Sequence, residues 1–369
     1  MQTFFPDYEN SLTNVMSSIQ KHFGAKCNHN SLSILDNYLN KTEYKNIILV
    51  LFDGFGYNIL KKNIKHCPFL NKHIVSSIFS TFPSTTMTAR TTIESGLNPI
   101  EHGWLGWNMY FKTFDEVITL SKNYVKGTKE KITDYHIAKT LLKYESVVNK
   151  IGKINNCNSN KVTLYSTDKN NSFSKIRKNI RKSIKNNESN YIYFYLDEPD
   201  HTFHKYGCDS KQALKKIKQL DKDFKRLCHS LDNALVIALA DHGHLNIEYI
   251  TLTDYPEIIK MLKGDVSIDC RACSFRVKDE YKKEFPIALK NILKDDFIVL
   301  SSKEVYDKKL YGTGEENKYF LEALGDYFAI GITNKAIRID DKVNMHKSSH
   351  SGITEDEMLV PLIVYSKEN

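Results

Sequence analysis

The sequence predicts a layered α/β protein with a mostly parallel central sheet. Three short apolar runs end abruptly in an acidic residue: 46–52 before Asp53, 191–196 before Asp197, and 234–240 before Asp241. Runs that are apolar on both faces are typical of buried parallel strands. Longer segments with apolar residues at three- and four-residue spacing separate these runs, as expected of helices that pack on a sheet.

The predicted helices and one further strand follow along the chain. A first helix starts near Asn10. Three longer amphipathic segments are also predicted as helices: 131–151, 172–185 and 211–231. The apolar run at 358–365 is predicted as a strand. Pro361 within it favours an edge strand or a bulge, because proline cannot donate to a sheet ladder.

The chain is predicted to be one core with an insertion. Residues 271–278 alternate like a strand, a Lys-rich helix follows, and residues 296–300 form another short strand. This order of elements differs from the alternation of strands and helices in the rest of the chain. Residues 1–257 and 323–369 are therefore assigned to the core. Residues 258–322 are assigned to an inserted cap subdomain of the α+β type.

Composition bounds the class of partner. Hydrophobic residues make up 41% of the 369 residues and charged residues 26%, and no stretch approaches the roughly 18 apolar residues of a membrane helix. The formal net charge of +8 is concentrated in Lys/Asn-rich stretches such as 169–190, which we interpret as solvated faces. We therefore expect neither a membrane nor a nucleic acid as partner, but a small phosphate-bearing substrate.

The cysteines and the N-terminus predict a cytoplasmic location. The seven cysteines are scattered and odd in number, unlike a disulfide framework. Residues 1–20 lack the basic and apolar regions of a secretion signal.

Acidic and imidazole side chains follow the predicted strands at one edge of the sheet, where ligands of open α/β sheets collect. Asp53 follows the first strand and precedes two glycines, which suits a cation site. Asp241 and His242 follow a later strand, and in an irregular loop both can turn toward one ion. His244 is either a surface residue or a further ligand.

Two further segments supply ligands. Asp200 and His204 are four residues apart, so a helical turn puts both side chains on one face. The neighbouring His201 and Asp197 are alternative ligands for an ion bound there, and each is interpreted instead as a supporting group or a cap. His350, in a Ser/Gly loop, completes a second site. Six Asp and His ligands without a thiolate indicate two metal sites suited to zinc or manganese.

A threonine at the start of a predicted helix is a candidate nucleophile. It lies in a hydroxyl-rich segment, and a helix is predicted to start near Thr85 or Thr86, so helix capping is the alternative role of these hydroxyls. A helix N-terminus attracts phosphate. A nearby metal would lower the pKa of the threonine hydroxyl, so that its oxygen can attack the phosphate.

The order of these motifs resembles the nucleotide pyrophosphatase/phosphodiesterase family, within the alkaline-phosphatase superfamily. The matching motifs span residues 46–365: Asp53-Gly54, Phe82-Pro83-Ser84-Thr85-Thr86 running to Ser95-Gly96-Leu97-Asn98-Pro99 and His102-Gly103, Glu198-Pro199-Asp200 with His204, Asp241-His242-Gly243, and His350. The resemblance implies an alkaline-phosphatase-like α/β/α core and hydrolysis of phosphodiester or pyrophosphate bonds.

The resemblance also implies roles for individual residues. It places three ligands at each of two divalent metal ions, zinc or manganese: Asp200, His204 and His350 at one, and Asp53, Asp241 and His242 at the other. Thr86 would attack phosphorus in line and form a covalent phosphothreonine intermediate that water hydrolyses. Thr85 is the alternative nucleophile.

The resemblance implies less about substrate contacts. Met87-Thr88-Ala89 follow Thr86, whereas Phe-Pro-Asn follows the threonine of nucleotide-hydrolysing members. Asn108 is the candidate for an asparagine that contacts a phosphate oxygen in those members, and Arg90 for a charge-assisted contact. A nucleotide is therefore one candidate substrate. Trp104, Trp107, Tyr110 and Phe111 are interpreted as core packing, with base stacking as the alternative.

Two alternative functions stay open. The same scaffold serves phosphomonoesterases, phosphonate hydrolases and phosphomutases. A non-catalytic anion-binding protein would instead show salt-sensitive nucleic-acid binding without a metal requirement. The complete set of ligand types argues against that second alternative, because binding alone gives no chemical need for it.

Overall fold

The computed structural model describes residues 3–340 and 345–367. The strands are β1 (Asn46–Phe52), β2 (Ile74–Phe79), β3 (Asn108–Phe111), β4 (Glu116–Thr119), β5 (Tyr124–Val125), β6 (Cys157–Leu164), β7 (Ser189–Leu196), β8 (Ala234–Leu239), β9 (Leu245–Asn246), β10 (Glu248–Thr251), β11 (Ser267–Ile268), β12 (Ala272–Phe275), β13 (Phe297–Ser301), β14 (Tyr327–Gly331), β15 (Lys335–Arg338), β16 (Ser348–Ser349) and β17 (Leu359–Lys367).

The helices are α1 (Leu12–His22), α2 (Ser33–Leu39), α3 (Tyr57–Lys62), α4 (Pro68–Lys72), α5 (Thr86–Ser95), α6 (Pro99–His102), α7 (Ile137–Leu141), α8 (Val147–Gly152), α9 (Phe173–Ser183), α10 (Asp200–Tyr206), α11 (Lys211–His229), α12 (Pro256–Met261), α13 (Phe285–Leu293), α14 (Ser302–Asp307), α15 (Phe320–Ala323) and α16 (Glu355–Met358). Within the described ranges, no helix combines the length and the apolar character needed to cross a membrane.

The central sheet has six strands in the order β2-β17-β8-β1-β7-β6. Strands β6, β7, β1 and β8 are parallel neighbours, and every residue of β1 is buried. This confirms the strands predicted from the three apolar runs. Because these strands run in the same direction, the loops that follow β1, β7 and β8 leave the sheet at one edge, which is where the site forms.

Two of the three long predicted helices are confirmed as α9 and α11. The continuous helix predicted over 131–151 is wrong, because the structure has the shorter α7 and α8 with a break between them. Ser146 accepts a hydrogen bond from the backbone N–H of Asn149 and so starts a separate helix. The break lets Tyr144 reach the Glu94 carboxylate with its hydroxyl, at 3.2 Å.

Strand β17 is not at an edge, so that part of the prediction is wrong. It lies between β2 and β8 and is antiparallel to both. Pro361 pairs with Ser77 of β2, whereas pairing with β8 begins only at Ile363. The missing N–H of Pro361 therefore interrupts no bond to β8. A register shift between Leu362 and Ile363 confirms the predicted irregularity.

A second sheet has seven strands in the order β13-β14-β12-β11-β3-β4-β5, with antiparallel pairing throughout. The strands predicted at 271–278 and 296–300 are β12 and β13. The sheet also takes in β3 to β5 and β14, which lie outside the predicted 258–322 segment. The boundaries of the inserted subdomain stay a prediction.

Candidate active site

Two clusters of acidic and imidazole groups lie beyond the carboxyl ends of the central strands. The first cluster consists of Asp200, His204, His244 and His350, and the second cluster of Asp53, Asp241 and His242. Within each cluster the candidate ligand atoms lie within 4.8 Å of one another. The imidazole rings of His242 and His350 stack with their centroids 3.7 Å apart, so the clusters adjoin. All six ligands predicted from the sequence are brought together, and His244 joins them.

The second cluster forms where the loops after β1 and β8 meet. The backbone N–H of Gly54 donates to Oδ1 of Asp241 at 3.0 Å. A Cβ atom on Gly56 would lie 2.5 Å from Cα of Gly243, so only glycine permits this approach. The approach brings His242 Nε2 to 3.4 Å from Asp53 Oδ1.

The first cluster forms on α10 and on the loop after β16. The predicted helical turn is confirmed, and it puts Nε2 of His204 3.3 Å from Oδ1 of Asp200. His350 Nε2 lies 3.7 Å from the same oxygen. A helix and a loop far apart in sequence therefore meet at the Asp200 carboxylate.

Three of the four histidines are oriented in the same way. The Nδ1–H groups of His204, His242 and His350 donate to the carbonyls of Ser348, Gly243 and Ser84, at 2.8, 2.9 and 3.0 Å. A carbonyl can only accept, so the proton of each neutral ring lies on Nδ1 and the lone pair on Nε2. Each lone pair faces its cluster, which is the arrangement usual for metal-binding histidines.

The electrostatics of the second cluster favour a cation. Burial, together with the neighbouring charge of Asp53, raises the pKa of Asp241 to about 8. Burial lowers the pKa of His242, but the carboxylates of Asp241 and Asp53 outweigh it and raise that pKa to about 10. Oδ2 of Asp241 is buried without a hydrogen-bond partner among the described residues. Two crowded carboxylates and an unpartnered oxygen fit a divalent metal ion.

Thr86 faces the second cluster. It is the first residue of α5, and its Oγ1 lies 3.1 Å from Nε2 of His242 and 3.3 Å from Oδ1 of Asp53. The preceding Thr85 donates its hydroxyl to the carboxylate of Asp269 at 2.7 Å. Of the two threonines, Thr86 therefore presents its hydroxyl to the clusters.

Tyr195 is a supporting residue that the sequence did not reveal. Its hydroxyl donates to Oδ2 of Asp53 at 2.5 Å, and the guanidinium of Arg90 stacks over its ring at 3.8 Å. Arg90 also pairs with Glu94 at 2.8 Å. Glu94 and Tyr195 hold the Arg90 side chain, and its contact with a substrate stays a prediction. A tyrosine inside a buried strand carries no local signal that sets it apart.

Of the minor candidates near α10, His244 belongs to the first cluster, whereas His201 and Asp197 belong to neither cluster. The surface alternative for His244 is wrong, since the residue is 2% exposed and its Nε2 lies 2.7 Å from Oδ1 of Asp200. His201 is exposed on α10. Asp197 accepts hydrogen bonds from the backbone N–H and the hydroxyl of Ser166, in the loop after β6 where no helix begins, so it is not a helix cap.

A cavity of about 550 Å³ opens beside the first cluster. Its walls include the predicted Asn108 and one of the four aromatic residues, Trp107. Trp104 and Phe111 are buried in a hydrophobic cluster, so core packing is confirmed for these two. Asn108 accepts a hydrogen bond from the hydroxyl of Thr119 at 2.8 Å, which holds its side chain at the wall.

Comparison with known proteins decides the family. The model of a family described as type I phosphodiesterase / nucleotide pyrophosphatase matches residues 47–330. The chain belongs to this family. Type I phosphodiesterases are metal-dependent hydrolases of phosphodiester or pyrophosphate bonds, and the chain is accordingly a phosphodiesterase-like hydrolase. A sequence search against curated proteins gives no significant match.

Solved structures of type I phosphodiesterases share the fold. Murine ectonucleotide pyrophosphatase/phosphodiesterase 5 superposes with a TM-score of 0.65 at 17% identity, covering 87% of this chain and 88% of its own. The human protein gives 0.67 at 17% identity, with 87% of each chain covered. An inactive threonine-to-alanine variant of the murine protein in complex with AMP gives 0.65 at 17% identity and 87% coverage of each. The predicted alkaline-phosphatase-like α/β fold is thereby confirmed.

Proposed function

We propose that the chain hydrolyses phosphodiester or pyrophosphate bonds with Thr86 as nucleophile and two divalent metal ions, zinc or manganese, as cofactors. The observation that carries the proposal is the position of the Thr86 hydroxyl, 3.1 Å from His242 and 3.3 Å from Asp53, next to two adjoining clusters of N/O ligands. Carboxylate and imidazole donors without thiolate suit either metal.

The proposed ligands divide between the clusters as the family resemblance implies: Asp200, His204 and His350 in the first, and Asp53, Asp241 and His242 in the second. A pair of bound cations supplies positive charge that lowers the pKa of the attacking hydroxyl and stabilises the entering and leaving oxygens. The protein contributes the fixed orientation of the ligands, through the backbone acceptors of three imidazoles.

The Thr86 oxygen attacks phosphorus at the N-terminus of α5. His242 and Asp53, whose Nε2 and Oδ1 lie 3.1 and 3.3 Å from the Thr86 hydroxyl, would hold the metal beside it, and the backbone N–H groups of the first helical turn attract the phosphate. A bond from Thr86 Oγ1 to phosphorus forms while the bond to the leaving oxygen breaks. The hydroxyl proton leaves with the departing oxygen, and the phosphorus stays esterified to the nucleoside. Water then cleaves the bond between Thr86 Oγ1 and phosphorus, releases the nucleoside monophosphate and restores the hydroxyl.

The substrate we propose is a nucleotide phosphodiester or pyrophosphate. The family acts on such compounds, and AMP occupies the solved variant of the murine relative. In this chain the cavity next to the first cluster provides room for the group beyond the phosphate, and Asn108 at its wall is the proposed contact to a phosphate oxygen. The cytoplasmic location stays a prediction.

Hydrolysis of a diester and of a monoester tests the proposal. The chelated protein is assayed on bis-p-nitrophenyl phosphate and p-nitrophenyl phosphate before and after addition of zinc or manganese. We expect diester hydrolysis that requires metal. A marked preference for the monoester would favour the phosphomonoesterase alternative, and metal-independent hydrolysis would exclude both metal sites.

The covalent step has its own test. A ³²P-labelled substrate, labelled at the phosphorus that is attacked, is mixed with excess enzyme and quenched in acid. We expect labelled protein whose tryptic peptide carries the labelled phosphoryl group, still esterified to the nucleoside, on Thr86. Label on Thr85 would move the nucleophile by one residue, and the absence of protein-bound label during rapid turnover would indicate direct attack by water.

A further inference from the structure

His244 is the histidine of the two clusters that departs from the common orientation. His204, His242 and His350 each anchor Nδ1 on a backbone carbonyl. Nδ1 of His244 is buried and has no hydrogen-bond partner among the described residues, while its Nε2 lies 2.7 Å from Oδ1 of Asp200. Its environment is therefore unlike that of the three proposed imidazole ligands.

Distances to the shared carboxylate oxygen separate a ligand from a hydrogen-bond donor. Two atoms bound to one tetrahedral zinc ion, each about 2.0–2.1 Å from it, are about 3.3 Å apart. Nε2 of His204 is 3.3 Å from Oδ1 of Asp200 and fits that spacing, and the 3.7 Å of His350 is near it. The 2.7 Å of His244 is too short for two ligands of one ion, but it is ordinary for an N–H···O hydrogen bond.

We propose that His244 is a positioning residue that donates Nε2–H to Asp200, and that it is not itself a metal ligand. This inference rests on the proposed metal site at the first cluster. With the proton on Nε2, Nδ1 carries only a lone pair, so the buried atom without a partner is an acceptor and not an N–H donor. A ligating Nε2 would instead leave a buried N–H without a partner, which is the rarer situation in proteins.

The surroundings of His244 hold its ring in this pose. A Cβ atom on Gly54 would lie 2.9 Å from Cδ2 of His244, so glycine gives the ring its space. The ring of Phe203 packs against it with centroids 5.6 Å apart. Leu245, the next residue, pairs with Ser349 beside His350. Because the ring is confined, its hydrogen bond can select one orientation of the Asp200 carboxylate.

Heteronuclear NMR of the wild-type protein tests the assignment directly. The protein is labelled with ¹⁵N-histidine and loaded with ¹¹³Cd at both clusters. We expect ¹¹³Cd–¹⁵N coupling at Nε2 of His204, His242 and His350, and a proton with no coupling at Nε2 of His244. Coupling at His244 would overturn the inference and leave the proposed function intact, whereas failure of both clusters to bind cadmium would overturn both.

Metal affinity of two variants tests the positioning role. Gln in place of His244 keeps an N–H donor at a similar reach, and Leu removes it at similar volume. We expect H244L to weaken zinc binding at the first cluster about 10- to 100-fold in chelator competition, with the second cluster unchanged, and H244Q to restore most of it. H201L, at an exposed position of α10, is the matched control. Unchanged affinity in H244L, or equal losses in H244L and H244Q, would contradict the proposal.

Discussion

Thr85 and Thr86 are adjacent in sequence, but their hydroxyls have different partners, Asp269 in one case and the second cluster in the other. Valine at either position removes one hydroxyl at nearly constant shape. We expect T86V to lower kcat by at least about 10³-fold, because it removes the hydroxyl of the proposed nucleophile. T85V should keep a kcat within about tenfold of wild type, and its free energy of unfolding should fall by about 1–2 kcal/mol. Steady-state kinetics and urea unfolding give both quantities, and the reverse order would make Thr85 the nucleophile.

Tyr195, a residue of strand β7, contacts the second cluster through Asp53. Its hydroxyl donates to Oδ2 of Asp53, while Oδ1 of the same carboxylate faces Thr86. We expect Y195F to weaken metal binding at the second cluster by about 10- to 100-fold, since the carboxylate loses the group that fixes its orientation. Isothermal titration with zinc measures the change. Y193F, on the same strand without a hydrogen bond to either cluster, is the control, and an equal effect in Y193F would refute the positioning role.

Among single residues, the sequence predicted those that lie at a strand end or at a helical spacing. Asp53, Asp241 and His242 follow strand ends, and Asp200 and His204 have helical spacing, so topology alone predicts that they meet. Tyr195 and His244 could not be predicted in the same way. Their roles depend on distances of 2.5 and 2.7 Å to carboxylates that are 142 and 44 residues away, which no local pattern encodes.

Between elements, a buried ion pair joins the second sheet to the segment that carries His350. Arg271, next to β12, donates from Nε and Nη2 to the Glu357 carboxylate in α16, both at 2.7 Å. Glu357 also accepts from the backbone N–H groups of Gly352 and Thr354. The pair therefore sets the shape of the loop directly after His350.

Breaking this pair should destabilise the protein strongly. R271M leaves the Glu357 carboxylate buried without its partner, and we expect a loss of about 3–5 kcal/mol in urea unfolding. The double variant R271M/E357L removes both charges, so its loss should be smaller than the sum of the single losses. Additive losses would show that the two side chains act independently.

Element prediction failed where local signals compete with tertiary contacts. Residues 131–151 have helical periodicity, but the Ser146 cap and the bond from Tyr144 to Glu94 divide the segment. Pro361 suggested an edge strand, yet β17 lies between β2 and β8, which pair with different halves of it, so that Pro361 faces only β2. The first outcome depends on a contact with α5 and the second on the partner strands of β17.

For the whole molecule, the pKa shifts predict how stability depends on pH. In the metal-free protein the pKa values of Asp241 and His242, about 8 and 10, both lie above their usual values, so the folded state keeps protons that the unfolded chain releases. The stability that depends on these protons is present at low pH and is lost as pH rises. The lowered pKa values of His244 and His350 act in the opposite sense, but only below pH 6.5.

We therefore expect the chelated protein to lose stability between pH 6.5 and 8, by up to about 1.4 kcal/mol per pH unit for each proton retained. Bound metal replaces these protons, so the loaded protein should not show this decline and should gain about 2.7 kcal/mol at a metal concentration 100 times Kd. Thermal unfolding at each pH, with and without chelator, measures both effects. Parallel curves would mean that the second cluster does not bind the ion.

The spread of the clusters along the chain, from Asp53 to His350, also has a consequence during biosynthesis. Strand β1 pairs with partners more than 140 residues later, and the ligand set is complete only once residue 350 has left the ribosome. A stalled or prematurely terminated chain therefore lacks part of the ligand set. We therefore expect an incomplete chain to be inert, and hydrolysis to appear only with the finished protein.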